Sequence, residues 1–240
     1  MLFFGTPILI AAAVLPAFLL MKKIYRADRL EKEPLPLLLS LLFWGIAATF
    51  VAIVFETIGG AALEYCFGEG TLAYNILLYF GVVAFSEEGA KYMLLKRRTW
   101  NAPDFNCRFD GVVYAVFVAL GFALWENIGY VFSYGLGTAL LRAVTAVPGH
   151  ACFGVFMGVW YSRAKYHELR GEEAEARSCC RAALFVPALL HGAYDFIATN
   201  EYFVFGFIAF IAAMFWSANR AIKRGGEEDR YFDPELTEEG

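Results

Sequence analysis

Of the 240 residues, 59% are hydrophobic and 18% aromatic, against only 18% charged, and the formal net charge is −4. That apolar fraction exceeds the range of soluble domains. It leaves room for several spans of ~20 residues joined by short loops and excludes a sizeable soluble domain. No basic patch interleaved with aromatics points to nucleic acid.

The first apolar run, about residues 3–21, has no basic residue before it, and Lys22, Lys23, Arg26 and Arg29 follow it. This argues for a retained first span with its N-terminus outside, not a cleaved signal peptide. Pro34-Leu35-Pro36 is a helix-start signal that opens span 2, about 35–58. A glycine-rich loop with Glu64 and Glu69 leads to span 3, about 72–95, which Lys96-Arg97-Arg98 stop. The polar loop 99–110 precedes span 4, about 111–132, and the turn 133–137 precedes span 5, about 140–161. The charged segment 162–181, with His167-Glu168 and Glu172-Glu173, reads as an exposed helical extension. Span 6 is about 182–199, Asn200-Glu201 make a tight turn, and span 7 is about 202–218. The remainder, 219–240, reads as an acidic cytoplasmic tail, disordered at its end.

The expected fold is all-α: a polytopic membrane helix bundle of about seven transmembrane helices, N-terminus out and C-terminus in. The charges agree. Eighteen of the 20 Lys and Arg residues fall after spans 1, 3 and 5 or in the tail, and cytoplasmic loops collect such residues. The exceptions are Lys91, inside span 3, and Arg142, at the outer edge of span 5. Of Cys66, Cys107, Cys152, Cys179 and Cys180, only Cys66 faces outside on this topology, so no disulfide framework is expected. Cys179 and Cys180 read as inert or lipid-modified thiols.

Four spans carry polar residues at depth. An ionisable group there costs at least ~2.5–3.5 kcal/mol, so each asks for a reason. Span 3 holds Glu87, Glu88 and Lys91. At about 100° per residue, Lys91 lies angularly between the two carboxylates and can pair with either. Span 4 holds Phe122 and Glu126 on one face, with Asn127 adjacent. In span 5, Pro148-Gly149-His150 is expected to interrupt the helix. Span 6 carries His191 and Asp195 at i,i+4. Counting ~1.5 Å per residue from the inner span ends puts Glu87 at roughly 14 Å, Glu126 at 24 Å, His150 at 18 Å and His191 at 15 Å. To within the spread of the span ends, all four fall in the middle third of a core ~30 Å thick. Each alone has a bland structural reading, and Lys91 serves equally well as a plain counter-ion. Together they gain little stability from burial, which favours a single site. Glu56, near a span end, reads as interfacial, and Gly154 and Gly158 as small residues for close helix packing.

Paired carboxylates beside a cation can keep one carboxylate ionised as a general base toward water. Histidines can donate to a developing oxyanion, and Asp195 is placed to fix the His191 tautomer. The set suits hydrolysis. No serine sits in a nucleophile-elbow setting and no H-E-x-x-H occurs. The spacing demands no metal, although glutamate with two histidines is an acceptable zinc set. Seven spans with buried carboxylates and a broken helix also suit a proton- or ion-coupled transporter, or a non-catalytic membrane scaffold.

Glu87-Glu88-x-x-Lys91, Phe122-x-x-x-Glu126 with Asn127, His150 after Pro-Gly, and His191-x-x-x-Asp195 resemble, in order, the motifs of PrsW-type intramembrane proteases. That family is grouped with the type II CAAX prenyl proteases and bacteriocin-processing membrane proteases. The resemblance covers spans 3 to 6, roughly half the chain. In the prenyl-protease branch the first motif ends in Arg one residue later and the second in His, so the match here favours PrsW.

The resemblance implies a glutamic-type intramembrane endopeptidase of the cell membrane, with residues 1–218 as its transmembrane domain and 72–199 as the site-bearing spans. It implies a single-pass membrane protein as substrate, an anti-sigma factor being the best-known class. Glu87, by analogy with the prenyl-protease branch, or else Glu88, is then the base. His191 and Glu126 help hold the water and oxyanion, with His150 and Asp195 in the same catalytic set. Lys91 sets the protonation of the glutamate pair, and with Phe122 and Asn127 it supports the catalytic set. No cofactor is expected. The PrsW branch has also been considered metal-dependent, and a zinc ion, if bound, would fall to Glu88, Glu126, His150 and His191.

Overall fold

The computed structural model describes residues 5–233. Among these, the backbone is helical almost throughout, with one isolated bridge, Cys107 to Tyr231, and no strand. The start of the first expected span and the end of the acidic tail lie outside the described residues.

Helix α1 is Gly5–Ala27 and α2 is Leu35–Phe67. Pro36 stands in the first turn of α2, where a missing N–H is harmless. The helix runs nine residues beyond its expected end, to Phe67, and stops at Gly68, whose φ of 69° suits only glycine readily. The third expected span divides into α3, Leu72–Ile76, a π-helical stretch, Leu77–Val83, and α4, Ala84–Thr99. Thr71 caps α3 by accepting the Tyr74 amide at 3.1 Å. The fourth is α5, Asp110–Tyr134.

The fifth divides into α6, Leu136–Val144, and α7, Ala146–Leu169. Its break is at Thr145 (φ −121°, ψ −74°), not at Pro148-Gly149-His150 as expected. Pro148 instead stands in the first turn of α7, where helix N–H groups have no intrahelical partner and proline deletes nothing. The Gly149 amide closes that turn on the Thr145 carbonyl at 2.9 Å. The charged segment expected as an extension divides between the ends of α7 and α8, Glu173–Ala198. A short 3-10 turn, Glu201–Phe203, precedes α9, Val204–Glu227.

Five of the helical stretches are long and apolar enough to cross a membrane: Pro7–Ala27, Leu35–Phe67, Asp110–Tyr134, Leu136–Leu169 and Val204–Glu227. The other two, 72–99 and Glu173–Ala198, carry the Glu87–Lys91 and His191–Asp195 motifs. The chain is an all-helical, multi-pass membrane protein.

Helix α5 is the central post, packed by α1, α2 and α7, and is buried continuously from Asp110 to Ala123. Small residues permit this. A Cβ on Gly121 would stand 2.2 Å from the Leu42 carbonyl oxygen of α2, and one on Gly158 of α7 would stand 2.4 Å from the Gly111 carbonyl oxygen. Gly154 packs the same way, 3.0 Å from the Ala115 oxygen, so these glycines do serve close helix approach. Gly121→Ala is expected to force α2 and α5 apart and to destabilise the protein by about 1–3 kcal/mol. Thermal unfolding in detergent checks this; an unchanged Tm would contradict the packing argument.

Helix α9 continues nine residues past its expected end, and the chain beyond it is not a free tail as far as residue 233. The Arg108 amide donates to the Arg230 carbonyl at 3.1 Å, and the Phe232 amide to the Asn106 carbonyl at 2.7 Å. The Phe232 ring meets Phe105 edge-on at 5.5 Å. An aromatic side chain that can bury itself outweighs the polar composition around it. At this end Asp28, Glu33 and Asp110 are all buried. Burial pushes the Asp28 carboxyl up to about 6 and that of Glu33 up to about 7.

Candidate active site

The π-helical stretch ends at Val83, two residues before Phe85, and π turns often occur at functional sites. There α8 comes close: a Cβ on Gly192 would lie 2.6 Å from Cδ1 of Phe80. That approach brings His191 against α4.

On α4, Lys91 Nζ donates to Glu88 Oε1 at 2.7 Å and to Glu87 Oε2 at 3.1 Å. The pairing is the i,i+3 and i,i+4 geometry that helical spacing dictates. Glu88 and Lys91 are fully buried, and Glu87 nearly so. The ammonium also lies 3.8 Å over the Phe122 ring, a cation–π contact. From α7, His150 Nδ1 stands 3.2 Å from Lys91 Nζ. An ammonium only donates, so Nδ1 accepts, and the ring proton sits on Nε2. Nε2 then donates to Glu126 Oε2 at 3.0 Å. From α8, His191 Nδ1 lies 3.0 Å from Glu88 Oε1, with its ring stacked 4.7 Å from Phe153. Its Nε2 lies 3.4 Å from Asp195 Oδ2.

The fold thus brings Glu87, Glu88, Lys91, His150 and His191 into one cluster and sets the other candidates behind it. Glu126 backs His150, and Asp195 backs His191. The shorter contact to His191 is from Glu88, so Glu88 orients this ring more than Asp195 does. Asn127 stands outside the cluster, where its amide holds the Ala13 carbonyl at 2.8 Å.

Two residues escaped the sequence reading. Arg142 Nη2 donates to Glu126 Oε2 at 2.7 Å and its Nε to Asn127 Oδ1 at 3.0 Å. The charge census carried the signal, since Arg142 and Lys91 were the two basic residues outside the basic loops. Glu56, read as interfacial, lines a cleft of about 360 Å³ with Glu87, Phe122, Trp125, Glu126 and Tyr130. Only contacts across α2, α4 and α5 could place it there. Glu88 and both histidines are absent from the lining.

A divalent metal fits the donors. One ligand atom each from Glu87, Glu88, His150 and His191 lies within 4.8 Å of the others. Glu88 Oε2 is buried without a hydrogen-bond partner, and carboxylate with imidazole is a zinc-type set. Five carboxyls, Glu56, Glu87, Glu88, Glu126 and Asp195, share the region with two basic side chains, Lys91 and Arg142. Glu126, expected among the ligands, stands behind His150 instead, and Glu87 takes its place. Lys91 Nζ contacts three of these residues, Glu87, Glu88 and His150, and would have to withdraw for a metal to enter.

A family model described as "PrsW family intramembrane metalloprotease" matches residues 33–218. The chain is 32% identical over 225 residues to Protease PrsW of Halalkalibacterium halodurans, covering 92% of this chain and 99% of that one. It is 34% identical over 196 residues to Protease PrsW of Clostridioides difficile, covering 79% of each. With Protease PrsW of Bacillus subtilis the identity is 30% over 217 residues, covering 90% of this chain and 94% of the relative. No solved structure matches. A multi-pass membrane bundle whose buried carboxylates and histidines converge in the order of these motifs belongs to the PrsW family of intramembrane proteases.

Proposed function

We propose that this protein is a glutamic-type endopeptidase that hydrolyses a peptide bond in or beside the membrane segment of a single-pass membrane protein. The supporting observation is the position of Glu87. It contacts Lys91 in the buried cluster and also lines the cleft, whereas Glu88 is sealed behind it. A carboxylate at that boundary can take a proton from water as the water oxygen bonds to the scissile carbonyl carbon. The carbonyl oxygen then gains negative charge, which N–H donors nearby stabilise. Lys91 and His191 stand 3.1 Å and 3.9 Å from Glu87. As the tetrahedral centre collapses, the C–N bond breaks and the departing nitrogen takes the proton from Glu87, restoring the carboxylate. Glu88 holds Lys91 and His191 in place, while Glu126 and Arg142 fix His150. A divalent ion, held by Glu87, Glu88, His150 and His191, would supply carbonyl polarisation and a more acidic water.

Purified protein co-reconstituted with a single-pass membrane substrate, an anti-sigma factor first, is expected to yield two fragments cut in or beside the membrane segment. Intact substrate in the presence of folded protein would sink the reading. Dialysis against a chelator, followed by elemental analysis, is expected to leave cleavage unchanged. Loss that Zn²⁺ restores would replace the metal-free route.

A further inference from the structure

A second group of donors lies at the other end of α5, where the turn after α1, the loop before α5 and the segment after α9 meet. The Cys107 thiol and the carboxyls of Asp110 and Asp229 each offer a ligand atom within 4.8 Å of the others. Cys107 and Asp110 are each 1% exposed. Asp110 Oδ2 accepts the amides of Asn106 at 3.0 Å and Cys107 at 2.6 Å. Asp229 Oδ1 accepts those of Phe109 and Arg230, both at 2.9 Å. Asp229 is pinned through Oδ1, whereas Asp110 also shares a hydrogen bond with the buried Glu33 carboxyl. The other oxygen of Asp229, Oδ2, is buried without a hydrogen-bond partner. Outer hydrogen bonds of this kind orient metal ligands.

Asp28 supplies an independent sign of a missing cation. It is 0% exposed, and neither carboxyl oxygen has a hydrogen-bond partner. The Glu33 amide and the Lys32 charge ease the burial of this carboxyl only in part, and it stays raised to about 6. Asp28 adjoins the group because α1 and α9 touch here: a Cβ on Gly226 would stand 2.2 Å from the Ala27 carbonyl oxygen. Lys32 acts on Asp28 and Arg108 on Asp229 by charge, and the Arg108 Nε is buried without a hydrogen-bond partner. Lys32 Nζ donates to the Tyr25 carbonyl at 2.6 Å and to the Asp28 carbonyl. The Arg108 guanidinium lies over the Tyr166 ring at 4.3 Å. Buried carboxylates that no cation meets in an ion pair are costly, and a divalent ion reduces that cost.

We propose that Cys107, Asp110 and Asp229, with Asp28 beside them, bind a zinc-class divalent cation that ties the three segments together. The thiol favours a zinc-class ion over calcium or magnesium, which prefer all-oxygen sites. Asp110 and Glu126 are 16 positions apart on α5, about 24 Å, so this site is separate from the Glu87 cluster and acts on the fold.

Cobalt(II) titrated into the full-length protein in detergent reads it out. A thiolate-to-cobalt charge-transfer band in the near ultraviolet is expected in the parent protein. Cys107→Ser should abolish it, and Asp229→Asn should weaken it. The Glu87 cluster contains no thiol, so the result stands whether or not the protease mechanism holds. Saturating Zn²⁺ is also expected to raise Tm by about 5 °C in the parent protein and not in Cys107→Ser. A folded parent protein that gives no band, or a band that survives Cys107→Ser, would overturn the proposal and leave these carboxyls holding protons instead.

Discussion

Glu87→Gln is expected to fold normally and to lose cleavage by about 10²–10⁴-fold, the usual worth of a general base. The amide keeps the shape of the side chain and an oxygen for Lys91, so the 3.1 Å contact can persist. It has no lone pair basic enough to take a proton from water. Glu88→Gln is expected to behave differently. Glu88 Oε1 accepts from Lys91 and faces His191 Nδ1 at 3.0 Å, so the amide leaves a buried ammonium and an imidazole short of a charged partner. That variant should lose both Tm and activity. Initial cleavage rates in proteoliposomes, beside unfolding curves in detergent, separate the two. If Glu87→Gln retains full activity while Glu88→Gln alone is inactive at normal Tm, the roles are reversed.

Lys91→Met carries the second large effect. Lys91 is 1% exposed, and its ammonium is the cation shared by both glutamates on α4. Removing one partner of a buried ion pair typically costs about 3–5 kcal/mol, because the remaining charge is stranded. Methionine fills the space over the Phe122 ring without replacing the charge. The double variant Lys91→Met with Glu88→Gln should recover part of that loss, since one stranded carboxylate is neutralised. Residues in one buried network couple non-additively. Strictly additive losses across the four proteins would show that Lys91 contributes by packing and not by charge.

Local features were readable before any tertiary contact was known. Lys91 reaches both glutamates because three and four residues make about one helical turn, a property of any α-helix. The same spacing puts His191 and Asp195 on one face of α8. Apolar runs of membrane length and the positions of Lys and Arg gave the helical membrane class for the same reason: composition and periodicity act within a segment. The order of motifs also sufficed to point to the family.

What distance along the chain cannot supply, packing decided. His150 entered the cluster and Glu126 stood behind it because α7 meets α5 at glycines that let the backbones touch, such as Gly158 against Gly111. Arg142 reached Glu126 because the helix breaks at Thr145, not at Pro148, which leaves α6 to approach α5 separately. Phe232 drew the chain after α9 onto the loop before α5, a contact that the acidic composition of this segment did not suggest. Sequence by itself determined which residues share a helix face, since backbone geometry is local. Only the tertiary structure decided which faces meet, since that depends on side-chain volumes dozens of residues apart.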